Sequence, residues 1–402
     1  MRVTPPAERK AERLTPHTWR ASAPAEDVLV VVFLRGAADG LNIVVPFGDP
    51  AYYRLRPGLA IAPPDRSTIP AAERALRLDD RFGFHPALGP LMPAWNAGQL
   101  AAVHACGSPD ESRSHFQAME LMERGLSTQA GPASGWLARL LTEHQPAEAP
   151  ALRAIAWGTS LPRSLAGAGS VSTLQDLSDV RLSSSPAGAD PLRHVVGALY
   201  AQASGPLGAL GRDSLKVVDQ LERVSSLELA DHAYPPTDFG RQLRQTAILI
   251  RLQVGLRVVA LDLGGWDTHF AQGGAGGWMA RLLGELAAGL AAFLDDLGPA
   301  SHSVSVVVMT EFGRRARENG SLGTDHGHGS VMLLLGHTLA GGRVHTAWPG
   351  LEDGQLVGPG DLAVTRDYRD VLAELCLRRL KRASIADLFP GFTPSPAGIY
   401  LD

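Results

Sequence analysis

Three short runs of β-branched residues share one form: nearly every position is apolar, and the run then stops abruptly at glycine or an acidic residue. They are 28–34 before Arg35-Gly36-Ala37-Ala38-Asp39-Gly40, 256–263 before Gly264-Gly265-Trp266-Asp267, and 304–309 before Thr310-Glu311-Phe312-Gly313. Near-continuous apolar strands of this length are buried on both faces, as in a parallel sheet covered by helices. Further strand candidates are 100–105, 152–156 and 331–335, and helical periodicity occupies 86–97, 115–124, 135–143, 239–253, 278–297 and 367–380. Strand alternating with helix predicts an α/β fold, a mostly parallel sheet sandwiched between helices.

The stretch 158–237 breaks this rhythm. It is rich in Ser, Gly and Pro, with a loop at 181–191, and then shows two amphipathic patterns near 194–202 and 207–227. Long loops inside compact domains are usually functional or disordered. The stretch therefore reads as a helical insertion, a cap near the site, in a single α/β domain spanning 28–402. Residues 1–27 are polar and Pro-rich and read as a flexible arm.

Composition narrows the function classes. The 402 residues carry 37 Lys and Arg against 41 Asp and Glu, a net charge of −4, so no basic field exists to hold nucleic acid or acidic lipid. With 45% hydrophobic and 19% charged residues, the chain is ordinary globular material rather than disordered. Cys106 and Cys376 are too few for a disulfide scaffold or a thiolate metal site. No apolar run approaches the roughly 18 residues of a membrane span, and no basic segment followed by an apolar one marks an export signal. The expected location is cytoplasmic, or periplasmic where a signal has been trimmed.

Asp39, Asp267 and Glu311 all fall just past strand ends, where ligands of an open parallel sheet gather. Carboxylates crowded at one edge repel each other unless a cation joins them. Asp267-Thr268-His269 and Asp325-His326-Gly327-His328 add imidazoles. A mixed N/O donor set suits Zn²⁺ or Mn²⁺ in preference to Mg²⁺. A lone Asp after a strand is ordinarily a turn or cap residue, so the joint pattern carries the argument. His144, His194 and His302 lack such a context and read as surface residues. The Gly273–Gly277 run lacks the Lys and Ser/Thr of a phosphate loop and reads as a connector. Ser114, at the start of the 115–124 helix, is either a helix cap or a nucleophile beside a cation that lowers its pKa. Ser114 and His115 do not form a triad pair, because adjacent helical side chains diverge.

Phe33-Leu34-Arg35-Gly36-Ala37-Ala38-Asp39-Gly40-Leu41-Asn42 resembles the opening of the domain-of-unknown-function 1501 family. Arg113-Ser114-His115-Phe116, Gly264-Gly265-Trp266-Asp267-Thr268-His269, Glu311-Phe312-Gly313-Arg314 and Gly323-Thr324-Asp325-His326-Gly327 resemble its later motifs. That family is similar to the alkaline phosphatase and sulfatase superfamily, which implies an alkaline-phosphatase-like α/β core with a two-metal hydrolytic centre. Asp39, Ser114, and Asp267 with His269 match the first three superfamily positions in order. Glu311 falls where the Asp of an Asp-His pair is expected, but Phe312 replaces the histidine. Asp267 and His269 are separated by one residue where the superfamily usually has three. His326, with Asp325, stands as the last ligand, or Asp325-His326 is itself the pair. Members of the family usually carry a twin-arginine export signal, and this chain shows none.

The resulting expectation is a metal-dependent hydrolase of a phosphate or sulfate ester. Ser114 would be the nucleophile, and one or two divalent ions would be held among Asp39, Asp267, His269, Glu311, Asp325, His326 and His328. Arg35 and Arg314 would clamp the anion. The alternative is a catalytically inactive metal-containing binding or partner protein on the same fold. The partner is accordingly a small-molecule ester or another protein, not nucleic acid.

Overall fold

Alternation along the first strand sets the layers. The computed structural model describes residues 27–142, 152–169, 171–180, 191–225 and 233–401. Its strand β1 (Val28–Leu34) is buried throughout. Val28, Val30, Val32 and Leu34 enter one apolar cluster, and Leu29, Val31 and Phe33 enter another. A strand sends successive side chains to opposite faces, so each cluster is one face of the sheet. The helices Asp238–Arg251 and Trp278–Leu297 cover the first face. His115–Arg124, Trp136–Thr142 and Tyr368–Glu374 cover the second.

The other strands are β2 (Val44–Val45), β3 (Leu76–Arg77), β4 (Gly83–Phe84), β5 (Leu100–Gly107), β6 (Ala154–Trp157), β7 (Val171–Leu174), β8 (Val258–Leu263), β9 (Val304–Met309), β10 (Ser330–Gly336), β11 (Arg343–His345) and β12 (Arg366–Asp367). A small antiparallel sheet has the order β2-β4-β3. The main sheet runs β11-β5-β10-β9-β1-β8-β6-β7, with β12 also paired to β5. All its pairings are parallel except those of β10, which is antiparallel to both β9 and β5. The fold is α/β with a mostly parallel central sheet, as expected.

The reversal of β10 matters for function. Parallel strands release their connections at the carboxyl edge. Because β10 starts at that edge, the connection from β9 to β10 stays there. It is stiffened by its own backbone pairing: Gly313 N donates to His328 O, Gly327 N to Gly313 O and Arg315 N to Asp325 O, each at 2.9 Å. Gly327 is required, because a Cβ there would lie 2.3 Å from the carbonyl carbon of Arg314.

Three expectations change. The 86–97 helix opens as a 3₁₀ turn, Pro86–Leu91, before the α-helix Met92–Asn96, since prolines remove amide donors. The last helix divides into Tyr368–Glu374 and a π turn, Leu375–Arg379. The 158–237 stretch is not purely helical. Besides the helices Pro191–Gln202 and Gly205–Ser225 it supplies β7, and Leu177, Val217 and Leu221 enter the first-face core. Residues 1–26 of the expected arm, 181–190 of the expected loop, and His144 lie outside the described residues. Cys106 and Cys376 are buried free thiols. Among the described residues, no helix is long and apolar enough to cross a membrane.

Candidate metal centre

Three connections at the carboxyl edge deliver the site. The segment after β5 opens the helix His115–Arg124, the segment after β8 carries Asp267 and His269, and the β9–β10 connection carries Glu311, Asp325 and His326. Gly36, after β1, lets the second of these pass close by. It has φ +119°, and a Cβ there would lie 2.6 Å from the Asp267 amide nitrogen.

Three imidazoles meet at this point. His326 Nε2 lies 3.0 Å from His115 Nε2 and 2.9 Å from His269 Nε2. Asp267 Oδ1 is 3.2 Å from His326 Nε2, 3.1 Å from His269 Nε2 and 3.6 Å from His115 Nε2. Donors adjacent around a cation bound at zinc-like lengths are separated by about 3.0–3.4 Å. His115, Asp267 and His326 form a group whose ligand atoms all lie within 4.8 Å of one another. His269 Nε2 adjoins two of the three.

The opposite ring nitrogens explain the orientation. His115 Nδ1 is 2.7 Å from Glu311 Oε1, His269 Nδ1 is 3.2 Å from Asp325 Oδ1, and His326 Nδ1 is 2.9 Å from the Arg113 carbonyl. Each of these partners only accepts, so each Nδ1 carries the proton and each Nε2 turns a bare lone pair inward. This is the arrangement by which proteins orient metal-ligating histidines. Three lone pairs and a carboxylate oxygen repel one another unless a cation lies between them. The donor set therefore fits a divalent metal.

The same contacts set the titration of the site. Glu311, by accepting from His115 Nδ1, raises the His115 pKa above the ordinary value, although burial opposes this. Burial would raise the Glu311 carboxyl, but His115, the Gly36 amide and the Thr310 hydroxyl together hold it low. Asp267 falls to about 2: burial opposes this, but Arg314 and His326 favour the carboxylate. Burial lowers the His326 pKa below the ordinary imidazole value. Phe312 closes one side, its ring stacked on His115 at 4.9 Å and tilted against His326 at 5.1 Å.

Of the residues expected in the site, Asp267, His269 and His326 come together as ligand candidates. Glu311 and Asp325 instead reach the outer nitrogens of histidines. Asp39 belongs to the scaffold: it is fully buried, paired with Arg56 at 2.5 and 2.9 Å, and accepts from Gln272 at 2.7 Å. His328 points to the Ser108 carbonyl at 2.8 Å. Arg314 is no free clamp: it is buried, and donates to the carbonyls of Ala37, Thr324, Gly36 and Trp266 as well as to Asp267. Arg35 is paired with Glu123 at 2.5 Å and Asp262 at 2.7 Å. Ser114 occupies the N-cap position beside His115, exposed, with no side-chain capping bond. His194 and His302 are exposed, away from these connections.

His115 is the ligand candidate that sequence reasoning missed. The sequence offers it only as a base for Ser114, although the Arg113-Ser114-His115-Phe116 motif already singles it out.

Among curated proteins, none matches the chain. A solved structure of a 2-O GAG sulfatase, BT1596, aligns at 10% identity and a TM-score of 0.28, too slight a likeness to carry an inference. That alignment covers 79% of this chain and 66% of the sulfatase, just under two thirds of its length. The family described as "Protein of unknown function (DUF1501)" matches residues 26–372, and the chain belongs to it.

Proposed function

We propose that this chain is a metal-dependent hydrolase of phosphate or sulfate esters with Ser114 as its nucleophile. The observation that carries the reading is the convergence of three bare Nε2 atoms and Asp267 Oδ1, each imidazole held by an acceptor on its far side. His115, His269, His326 and Asp267 would hold one divalent ion, with Zn²⁺ or Mn²⁺ preferred over Mg²⁺ for this nitrogen-rich set. Such an ion supplies Lewis-acid charge to an ester oxygen. Ser114 makes no capping bond, so its hydroxyl is available to attack. The N-terminus of the helix it precedes contributes partial positive charge toward the anion. Glu311 and Asp325 keep the Nδ1 protons in place, and Phe312 shields one side of the imidazoles from water. A groove of about 490 Å³, lined by Trp157, Thr159, Ser160, Gln242, Asp262 and Gly264, runs along the same edge. The start of the 158–237 stretch lines this groove and would govern substrate size.

A second reading, a metal-containing binding or partner protein, is favoured by one observation. Asp39 is locked to Arg56 and Phe312 stands in a histidine position, so the described residues offer one cluster where two-metal hydrolases need two. Elemental analysis of freshly purified protein, with aryl phosphates and aryl sulfates assayed in Zn²⁺, Mn²⁺ and Mg²⁺, tests both. The hydrolase reading requires bound metal and turnover that Ser114→Ala abolishes. Metal without turnover moves the protein to the second reading, and absence of bound metal after loading refutes both.

A further inference from the structure

Of the eleven phenylalanines, only Phe116 and Phe270 are strongly exposed, at 86% and 77%. Each directly follows a histidine whose Nε2 faces the centre: His115-Phe116 and His269-Phe270. Consecutive Cα atoms are 3.8 Å apart, so each ring is carried by a residue directly beside a histidine of the cluster. Leu322, 61% exposed, joins them. Its segment is bonded to the one bearing Phe270, with Ala271 N donating to Ser321 O at 3.0 Å and Gln272 N to Leu322 O at 2.9 Å. Gly323, next to Leu322, is packed on His269, where a Cβ would lie 2.4 Å from the carbonyl carbon.

Exposing large apolar side chains forfeits the burial that drives folding, and contiguous exposed patches mark binding surfaces. The backbone also works to maintain this display. Ala271 and Leu322 adopt left-handed conformations, φ +47° and +55°, which non-glycine residues avoid. Strain of this kind persists where the surrounding structure enforces it, and it clusters at ligand sites.

We infer that Phe116, Phe270 and Leu322 form an apolar rim that selects esters carrying an aromatic or bulky apolar group, with the anionic head directed to the histidine cluster. The inference rests on the ester-binding reading above. The two parts of such a substrate separate naturally: charge at the imidazoles and Asp267, and hydrocarbon against the rim, where water is displaced from both surfaces.

The test compares phenylphosphonate with methylphosphonate on the zinc-loaded full chain by titration calorimetry. The anionic head is common to both, so the difference reads the rim alone. Phenylphosphonate binds at least about tenfold more tightly, and Phe116→Ser and Phe270→Ser each narrow that ratio about threefold or more, with zinc content retained. Equal affinities, or a ratio that neither substitution narrows, overturn the inference. A change in oligomeric state with the ratio unmoved also overturns it, making the rim a contact between copies. If neither phosphonate binds, the ester reading fails and takes the rim with it. If the contrast appears and narrows but no ester is turned over, the hydrolase reading alone fails.

Discussion

Glu311→Gln separates the role expected of Glu311 from the role its contacts assign. As a ligand, Glu311 would lose most of the metal on substitution. As the group that orients His115, it should lose only part. Its Oε1 accepts from His115 Nδ1 at 2.7 Å and from the Gly36 amide at 2.8 Å, and its Oε2 accepts from the Thr310 hydroxyl at 2.9 Å. Glutamine is isosteric, and its carbonyl oxygen can keep the first two bonds. The Thr310 hydroxyl can turn its proton to the Leu34 carbonyl, 2.8 Å away, and accept from the new amide. The fold should therefore persist. What disappears is charge assistance in one buried bond: charged hydrogen bonds contribute roughly 1.5–3 kcal/mol and neutral ones about 1. A net loss of about 1–2 kcal/mol is a factor of roughly 5–30 in metal affinity, in the range found for such orienting partners. Competition with a chromophoric zinc chelator at neutral pH measures it. An unchanged affinity would leave Glu311 without a part in the centre. A loss beyond about a thousandfold, with the far-ultraviolet spectrum intact, would make it a direct ligand and refute the geometry described above.

Four further outcomes are expected. Ser114→Ala should abolish ester turnover while keeping zinc and shifting stability by less than about 0.5 kcal/mol, because no capping bond is lost; calorimetric unfolding with metal analysis checks this. Asp39→Asn should cost about 3 kcal/mol by leaving Arg56 buried against a neutral partner, yet retain metal when folded; metal loss without destabilisation would restore Asp39 as a ligand. Burial lowers the fully buried His104 to about 4, and its Nδ1 accepts from the Ala105 amide at 2.7 Å while Nε2 faces the Val44 carbonyl. Its folded pKa lies below the unfolded 6.5, so its stabilisation is intact above pH 6.5 and is lost progressively as pH falls to about 4, a total of about 3 kcal/mol. His104→Gln should flatten the slope of unfolding free energy against pH in that window, and parallel curves would refute the assignment. Glu374→Gln should destabilise by about 3 kcal/mol, since both carboxylate oxygens accept from successive amides of 397–400 and an amide group would set donor against donor; a thermal melt shows it.

Much of the architecture is written locally. The continuous apolar runs at β1, β8 and β9 already demand a sheet covered on both faces, and the patterns at 115–124 and 278–297 coincide with the helices His115–Arg124 and Trp278–Leu297. Strand-end position alone was enough to bring Asp267 and His269 to one edge, because the loop after a parallel strand leaves at its carboxyl end, whereas His326 is kept there by the reversal of β10. Which atom of each residue faces the centre was not legible. Asp39, at the end of the same kind of run as Asp267, is claimed by Arg56, which no local pattern couples to it. Glu311 and His115 meet across 196 residues, and that bond turns the His115 Nε2 toward His326 and Asp267. Period and composition act over a few residues, so they determine which segments are strands and helices. The partner of each buried polar group is chosen only when distant segments pack and every donor must find an acceptor. The difference between a ligand and its support therefore belongs to the tertiary structure.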